Sequence, residues 1–212
     1  MMKRKTFGTL LIVLGAVLVL SALGMTCSNL WKDSRAGKAA QESLEKLTAP
    51  LPQPEKTQEN EQLPLLVDPA EIELYEAYPY MDMPEQEVDG RMYIGVLEIE
   101  TLELRLPILS QWSDSDSQIA PCRYSGSAYQ NDLVIAGHNY GSHFRRLSDL
   151  SIGDTVRFTD VDGNVFVYVM VDIELLNADQ VEEIRTGDWD LTLFTCTVGG
   201  QQRIAIRCAR EG

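Results

Sequence analysis

Residues 191–208 decide the fold and read LTLFTCTVGGQQRIAIRC. Two runs rich in apolar and β-branched residues flank Gly199 and Gly200, and glycine tolerates the positive φ that tight turns require. This pattern predicts an antiparallel hairpin. The first strand ends on Cys196 and the second strand opens on Arg203. We therefore expect a thiol and a guanidinium to lie together at one end of a sheet.

The chain from Gly90 to this hairpin has the same texture of short β-rich runs between turn residues. A second hairpin is indicated by Asp162-Gly163-Asn164, because these residue types adopt positive φ readily. Helical interruptions are predicted at residues 143–150 and 178–184. The predicted strands are residues 92–99, 104–109, 132–136, 155–159, 165–176, 191–197 and 203–208. Many short strands with few helices predict an all-β barrel or sandwich.

An apolar segment near the N-terminus, residues 7–25, carries no charge and would span roughly 28 Å as a helix, close to the thickness of a bilayer's hydrocarbon core. Lys3, Arg4 and Lys5 precede it, and the positive-inside rule then keeps the N-terminus in the cytoplasm. We expect a single-pass anchor in the cell membrane, with the remainder of the chain outside the cytoplasm. A cleaved signal peptide is the alternative, although the apolar run exceeds the roughly 7 to 15 residues that are usual for the apolar region of a signal peptide.

An acidic region connects this anchor to the β-rich domain. Residues 32–47 are good helix formers of mixed charge and predict a helical stalk, whereas residues 48–69 predict a flexible linker. Ile72, Leu74, Tyr75 and Tyr78 predict a short helix that packs on the domain. The predicted organisation is a cytoplasmic tail (1–6), a transmembrane anchor (7–25), an acidic stalk and linker (26–90) and a folded domain (91–212).

Composition excludes several classes of function. A net charge of −14 and a pI near 4.5 argue against a nucleic-acid partner, because phosphate binding needs clustered Lys and Arg. The four cysteines form no CxxC pair and do not indicate a disulfide scaffold or a zinc site. For Cys122 and Cys208, separate burial and a mutual disulfide both remain open. Glu182 and Glu183 indicate a solvated helix face, so we expect neither a metal nor a cofactor.

Three residues could carry acyl-transfer chemistry. His138 follows the apolar strand at residues 133–136, and Cys196 ends another strand that the turn folds back beside Arg203. A thiolate can attack a peptide carbonyl, an imidazolium can protonate the leaving amine, and a guanidinium can stabilise the oxyanion or orient the substrate. The alternative is that Cys196 is a small core residue and that His138 only closes a strand.

Five strings occur in the order of motifs that are found in bacterial sortases: YIGVLEI (93–99), LPI (106–108), VIAGH (134–138), GDTV (153–156) and LTLFTC (191–196). The chain from about Met92 to Arg210 resembles this family of cysteine transpeptidases. The resemblance implies a closed eight-stranded sortase-type β-barrel with short helices. It also implies that Cys196 is the nucleophile, His138 the general acid and base, and Arg203 the oxyanion or substrate-orienting residue.

Two further residues have weaker roles in this interpretation. Arg207 is the rival for the role of Arg203, since both side chains lie on the same side of the strand. In the family, however, the functional arginine opens the strand and is followed by apolar residues, which fits Arg203. Thr195 precedes the nucleophile as it does in the family, so it is a candidate substrate-binding residue in the groove.

The resemblance implies that the enzyme cleaves an LPxTG-like sorting motif in surface proteins of a Gram-positive cell through a thioacyl-enzyme. The acyl group would pass to an amine of a cell-wall precursor or a pilin. A class D-like subclass is expected, with class B-like as the alternative, although residues 177–190 are short for the class B helix. Two other hypotheses are a hydrolytic cysteine peptidase and a non-catalytic extracytoplasmic β-barrel that serves as a scaffolding or adhesion module.

Overall fold

The computed structural model describes residues 2–49 and 74–211. The first element is one continuous helix, α1 (Met2–Thr48). Its apolar part has a mean hydropathy of 2.5 over its most apolar stretch and is long enough to cross a membrane. The large apolar side chains of this part, from Leu10 to Leu30, are exposed, as expected for a surface that faces lipid.

Nine strands follow: β1 (Gln86–Val88), β2 (Arg91–Ile99), β3 (Leu104–Leu109), β4 (Cys122–Ser125), β5 (Leu133–Ala136), β6 (Thr155–Asp160), β7 (Val165–Asn177), β8 (Leu191–Cys196) and β9 (Gln202–Arg210). Seven of them match the predicted strands within a few residues. β1 and β4 were not predicted because each is only three or four residues long and mostly polar.

Eight of these strands close a barrel, which confirms the predicted fold class. The order around the barrel is β2-β3-β4-β5-β8-β9-β7-β6, and β6 pairs with β2 to complete it. β1 is an additional short strand on β2. The pairs β3–β4 and β5–β8 are parallel, and all the others are antiparallel. Closure leaves no long unpaired edge in the barrel.

Two short α-helices and three 3₁₀ helices interrupt the strands. These are α2 (Leu74–Ala77), α3 (Val181–Arg185) and 3₁₀ helices at Glu100–Leu102, Asp116–Gln118 and Arg145–Asp149. In α2, Tyr75 stacks on Tyr129 with 4.8 Å between ring centroids, so this short helix packs on the domain as predicted. Ile72 and most of the predicted linker at residues 48–69 lie outside the described residues.

The C-terminal third of α1 packs against the barrel, whereas the sequence predicted a free stalk. Ala36, Ala40, Leu44 and Leu47 are buried, at a spacing that places them on one helix face. Leu44 and Leu47 share an apolar cluster with Tyr93. The sequence did not indicate this packing, because charged residues surround the stripe and two of its four members, Ala36 and Ala40, carry little hydrophobic signal.

Candidate active site

A cavity of about 210 Å³ lies on the outer face of β5, β8 and β9, with α3 along one side. It is lined by Trp112, Tyr124, Ala136, Gly137, His138, Ala178, Val181, Ile184, Phe194, Thr195, Cys196 and Arg203. His138, Cys196 and Arg203, which the sequence indicated for acyl transfer, therefore line the same cavity. Cys196 and Arg203 follow His138 in the chain by 58 or more positions.

Cys196 is the last residue of β8 and is half-buried at the cavity. Its register partner on β9 is Arg203, as the glycine turn predicts. Thr197 N–H donates to the Gln202 carbonyl at 2.9 Å and closes a loop of four residues, 198–201, in which Gly200 N–H donates to the Thr197 carbonyl at 2.9 Å. Gly199 and Gly200 have φ of +92° and +72°, values that favour glycine.

The two candidate arginines have different surroundings. Arg203 lies at the cavity, and its Nη1 donates to the carbonyls of Gly200 and Gln202 at 3.1 and 3.2 Å. Arg207 lies four residues along β9, roughly 13 Å farther from the thiol at the usual strand rise. It is 2% exposed and forms an ion pair with Glu174 at 2.6 Å.

Arg207 also holds α3 in place. Its guanidinium donates to the carbonyl of Ile184 at 3.0 Å and to Thr192 Oγ1 at 3.0 Å. Because Ile184 lines the cavity, these contacts fix one wall of the site. The surroundings of Arg207 are those of a structural residue, whereas Arg203 has its guanidinium at the open cavity.

The parallel pairing of β5 and β8 brings His138 to the same end of the barrel as Cys196. Ala136 pairs with Phe194, and Gly137 N–H donates to the Phe194 carbonyl at 3.0 Å. A Cβ on Gly137 would lie 2.5 Å from the Phe144 ring, which explains why glycine precedes His138. The glycine therefore allows the chain to turn over Phe144 and present the imidazole.

His138 sits among residues that the sequence could not place. Ser117 Oγ lies 3.2 Å from His138 Nε2, and the rings of Trp112 and Tyr140 have centroids 6.2 and 5.0 Å from the imidazole. Burial lowers the pKa of His138 below its usual value, and the negative charge of Asp114 opposes this shift in part. The imidazole is therefore mostly neutral at pH 7.

Four residues of the site were missed by sequence reasoning: Trp112, Ser117, Tyr124 and Asn139. Asn139 Nδ2 donates to the Cys196 carbonyl at 2.8 Å and so ties the histidine loop to β8. Its position directly after His138 was the one available signal. The other three belong to residues 110–130, a segment without apolar periodicity.

The candidate substrate-binding residue Thr195 and the second histidine, His143, are both buried. Thr195 lines the cavity, and its Oγ1 has no hydrogen-bond partner among the described residues. His143 is buried, and desolvation together with the nearby His138 lowers its pKa to about 4, so it is neutral at pH 7. It lies just before the 3₁₀ helix at Arg145–Asp149, within the segment 143–150 that was predicted to be helical.

All four cysteines lie in the described ranges, and none forms a disulfide. Cys122 and Cys208 are buried separately, and burial raises the pKa of each thiol to about 12. Cys196 is thus the one cysteine of the barrel that reaches a cavity. Within residues 2–49 and 74–211, no group of three or more His, Cys, Asp or Glu side chains is arranged to hold a metal ion.

Comparison with known proteins places this arrangement in a family. The model of the Sortase domain matches residues 97–211. A Clostridium perfringens sortase D5 transpeptidase has a similar structure, with a TM-score of 0.54 and 17% identity over 84% of this chain and 99% of that one. A sequence search among curated proteins finds no match.

Two other solved structures are similar. Streptococcus agalactiae sortase C1 in complex with MTSET has a TM-score of 0.51 and 19% identity over 65% of this chain and 83% of its own. A lid mutant of Corynebacterium diphtheriae sortase A has a TM-score of 0.52 and 17% identity over 65% and 88%. Similarities at these identities establish the fold.

The closed barrel and the matched domain define a cysteine transpeptidase with a helix long enough for a membrane anchor at its N-terminus. The chain belongs to the sortase family.

Proposed function

We propose that this protein is a membrane-anchored sortase in which Cys196, His138 and Arg203 are the catalytic residues. The observation that carries the proposal is the register of the β8–β9 hairpin. It pairs Cys196 with Arg203, while the parallel β5–β8 pairing supplies His138 to the same cavity. Sortases as a family join a surface protein to an amine, and this site has the groups that the reaction needs.

In the proposed reaction, the Cys196 thiolate attacks the carbonyl of the scissile peptide bond in an LPxTG-like motif. The negative charge that develops on the carbonyl oxygen is stabilised by the Arg203 guanidinium. The His138 imidazolium gives its proton to the leaving amine as the tetrahedral intermediate collapses to a thioester. An incoming amine from a cell-wall precursor or a pilin then attacks the thioester, His138 takes its proton, and the Cys196 thiolate is restored.

The walls of the cavity support an extended peptide with apolar side chains. Val181 and Ile184 of α3 face a row of aromatic rings formed by Phe194, Tyr124 and Trp112. Phe194 and Tyr124 contact each other edge to face at 5.2 Å between centroids, and Tyr124 and Trp112 do so at 6.4 Å. Such a surface suits the Leu-Pro portion of a sorting motif. Thr195 is proposed as a substrate-binding residue beside it.

The topology is also a proposal. Residues 1–6 would be a cytoplasmic tail, residues 7–25 the transmembrane anchor, and residues 91–212 an extracytoplasmic catalytic domain, with residues 26–90 between them. The packing of Leu44 and Leu47 on the barrel supports including the end of α1 in the folded unit. Activity assays therefore need the full chain in detergent micelles or nanodiscs, since removal of α1 would expose this cluster.

The test uses fluorogenic LPxTG-like peptides with and without a glycine-based amine, and compares the wild type with Cys196→Ala. Cys27→Ala is the matched control, because Cys27 is exposed on α1 away from the barrel. We expect an amine adduct, detected by mass spectrometry, that disappears only in Cys196→Ala. Hydrolysis of the peptide with no amine adduct, even when the amine is present, would instead indicate a peptidase. A folded wild type that cleaves nothing and leaves Cys196 inert to thiol reagents would indicate a scaffolding module.

A further inference from the structure

The anchor helix makes direct contact with the loop that follows His138. Asp33 lies on α1, more than 100 positions before that loop, and its carboxylate accepts hydrogen bonds from three groups. Gly141 N–H donates to Oδ2 at 2.9 Å, Ser142 N–H to Oδ1 at 3.0 Å, and Ser142 Oγ to Oδ1 at 2.7 Å. The Asp33 side chain is only 17% exposed.

The helix is shaped to bring Asp33 this close. Gly37 is one turn farther along the same face of α1, and a Cβ at this position would lie 2.9 Å from Ser142 Cβ. The backbone of α1 at Gly37 therefore contacts the loop at Ser142 with no side chain between them. Burial of Asp33 disfavours its charge, but the hydrogen bonds from Ser142 and Gly141 outweigh this and lower its pKa, so the carboxylate is ionised at neutral pH.

The loop held by Asp33 is in turn bonded to the backbone of both reacting residues. Phe144 N–H donates to the His138 carbonyl at 3.2 Å, and Asn139 Nδ2 donates to the Cys196 carbonyl at 2.8 Å. Arg145 adds a second link, because its Nη2 lies 3.7 Å from Asp33 and 3.3 Å from the Asn139 carbonyl. A continuous set of contacts thus runs from α1 to the catalytic centre.

We propose that Asp33 is a positioning residue, through which the anchor helix holds the loop of residues 139–145 and so sets the place of His138 relative to Cys196. This inference rests on the proposed transpeptidase function. Because proton transfer requires hydrogen-bond geometry, a displacement of about 1 Å at His138 is enough to slow the reaction strongly. The helix is then part of the active enzyme and more than a membrane attachment.

The experiment uses the full chain in nanodiscs and two readouts. The first is kcat and KM for the LPxTG-like peptide. The second is the NMR spectrum of the chain with isotopically labelled histidine, which is simple to interpret because the sequence contains only two histidines. The second readout reports the surroundings of His138 without any turnover.

We expect Asp33→Ala to lower kcat about tenfold or more, with little change in KM, and to shift or broaden the His138 resonances. The kcat of Asp33→Asn should lie between those of the wild type and Asp33→Ala. Its single carbonyl oxygen can still accept hydrogen bonds from Ser142, but no second oxygen is left to accept from Gly141. Glu45→Ala is the matched control, since Glu45 is an exposed acid on the outer face of the same helix. Gly37→Leu, which pushes Ser142 away while keeping Asp33, should reproduce the effect of Asp33→Ala.

Each result decides the inference. Asp33→Ala with wild-type kcat and unchanged His138 resonances would overturn it, as would equal losses in Asp33→Ala and Glu45→Ala. A wild type that processes no peptide would count against the proposed function. In that case the NMR comparison alone decides: the inference stands if the His138 resonances change in Asp33→Ala but not in Glu45→Ala, and it fails otherwise.

Discussion

Ser117 gives His138 the orientation that a carboxylate supplies in many other histidine-dependent enzymes. It is fully buried, and its Oγ donates to the Asp114 carbonyl at 3.3 Å while lying 3.2 Å from His138 Nε2. Because its hydroxyl hydrogen is directed to that carbonyl, Ser117 Oγ can accept a hydrogen bond from Nε2–H. In that tautomer of the neutral imidazole, Nδ1 is unprotonated and available for the proposed proton transfer.

Replacement of Ser117 by alanine tests this orientation. Without its acceptor, Nε2–H loses its partner and the two tautomers of His138 become closer in energy. We expect kcat to fall on the order of tenfold, while KM stays near the wild-type value. Ser115→Ala is the control, because Ser115 is an exposed serine of the same segment. Equal kcat in the wild type and Ser117→Ala would show that the contact does not matter for turnover.

Substitution of Arg203 should lower activity, whereas substitution of Arg207 should lower stability. Arg203→Ala should lower kcat by about 10²- to 10³-fold, the usual loss for one oxyanion donor, and leave the unfolding temperature nearly unchanged. Arg207→Met leaves the Ile184 carbonyl and Thr192 Oγ1 without their donor and removes the ion pair with Glu174, so it should lower the free energy of unfolding by about 3 kcal/mol. Thermal unfolding and steady-state kinetics on both variants measure this difference, and the reverse pattern would assign the catalytic role to Arg207.

The charge of Asp114 should affect the pH dependence of kcat/KM. It raises the pKa of His138 against the larger effect of burial, so its removal must lower that pKa further. Asp114→Asn is therefore expected to move the limb of the kcat/KM profile that follows His138 toward lower pH, by less than about one unit. Glu100→Gln, an exposed acid far from the cavity, should leave the profile in place. A shift toward higher pH would contradict the assignment.

At the scale of elements, strand pairing was predicted most accurately where the sequence has a regular apolar pattern around a glycine turn. The β8–β9 hairpin, with its apolar runs around Gly199 and Gly200, was predicted to pair Cys196 beside Arg203, and it does. The segment of residues 110–130 was not predictable, because its position depends on contacts such as that of Ser117 with His138 rather than on local periodicity. The catalytic candidates could therefore be named from sequence, but not the residues that surround them.

The end of α1 is a second element whose role required the structure. Leu47 is fully buried against β1 to β3, and Leu47→Ala should lower the free energy of unfolding by about 2 to 5 kcal/mol, the range for a buried leucine that leaves a cavity. Glu42→Ala, on the exposed face, should change it by less than about 0.5 kcal/mol. Chemical denaturation of the full chain measures both. Equal stabilities would mean that the helix is a free stalk after all.

At the scale of the whole molecule, α1 connects the proposed membrane anchor to the barrel without a break. It is helical from Met2 to Thr48, and from Met25, at the end of the proposed span, to Asp33 it rises about 12 Å. Sequence alone divided this helix into an anchor and a separate stalk, since the apolar and charged parts differ in composition. The contacts of α1 with the barrel, among them those of Asp33 and Leu47, indicate that the helix and the barrel act as one body.

Insertion of four helix-forming residues directly after Met25 should lift the barrel by about 6 Å and keep every contact of α1 with it. We expect kcat for a free peptide to stay at the wild-type value. Processing of a substrate that is itself anchored in the same nanodisc should become slower, because its motif must reach a higher site. Equal loss on both substrates would indicate that the insertion has disturbed the fold.

With the proposed anchor in the membrane, the unbroken helix would hold the cavity at a constant height and orientation above the lipid rather than on a flexible tether. A surface protein of the proposed substrate class would then be captured only while its motif passes at that height. The timing of its export would become a condition for its attachment.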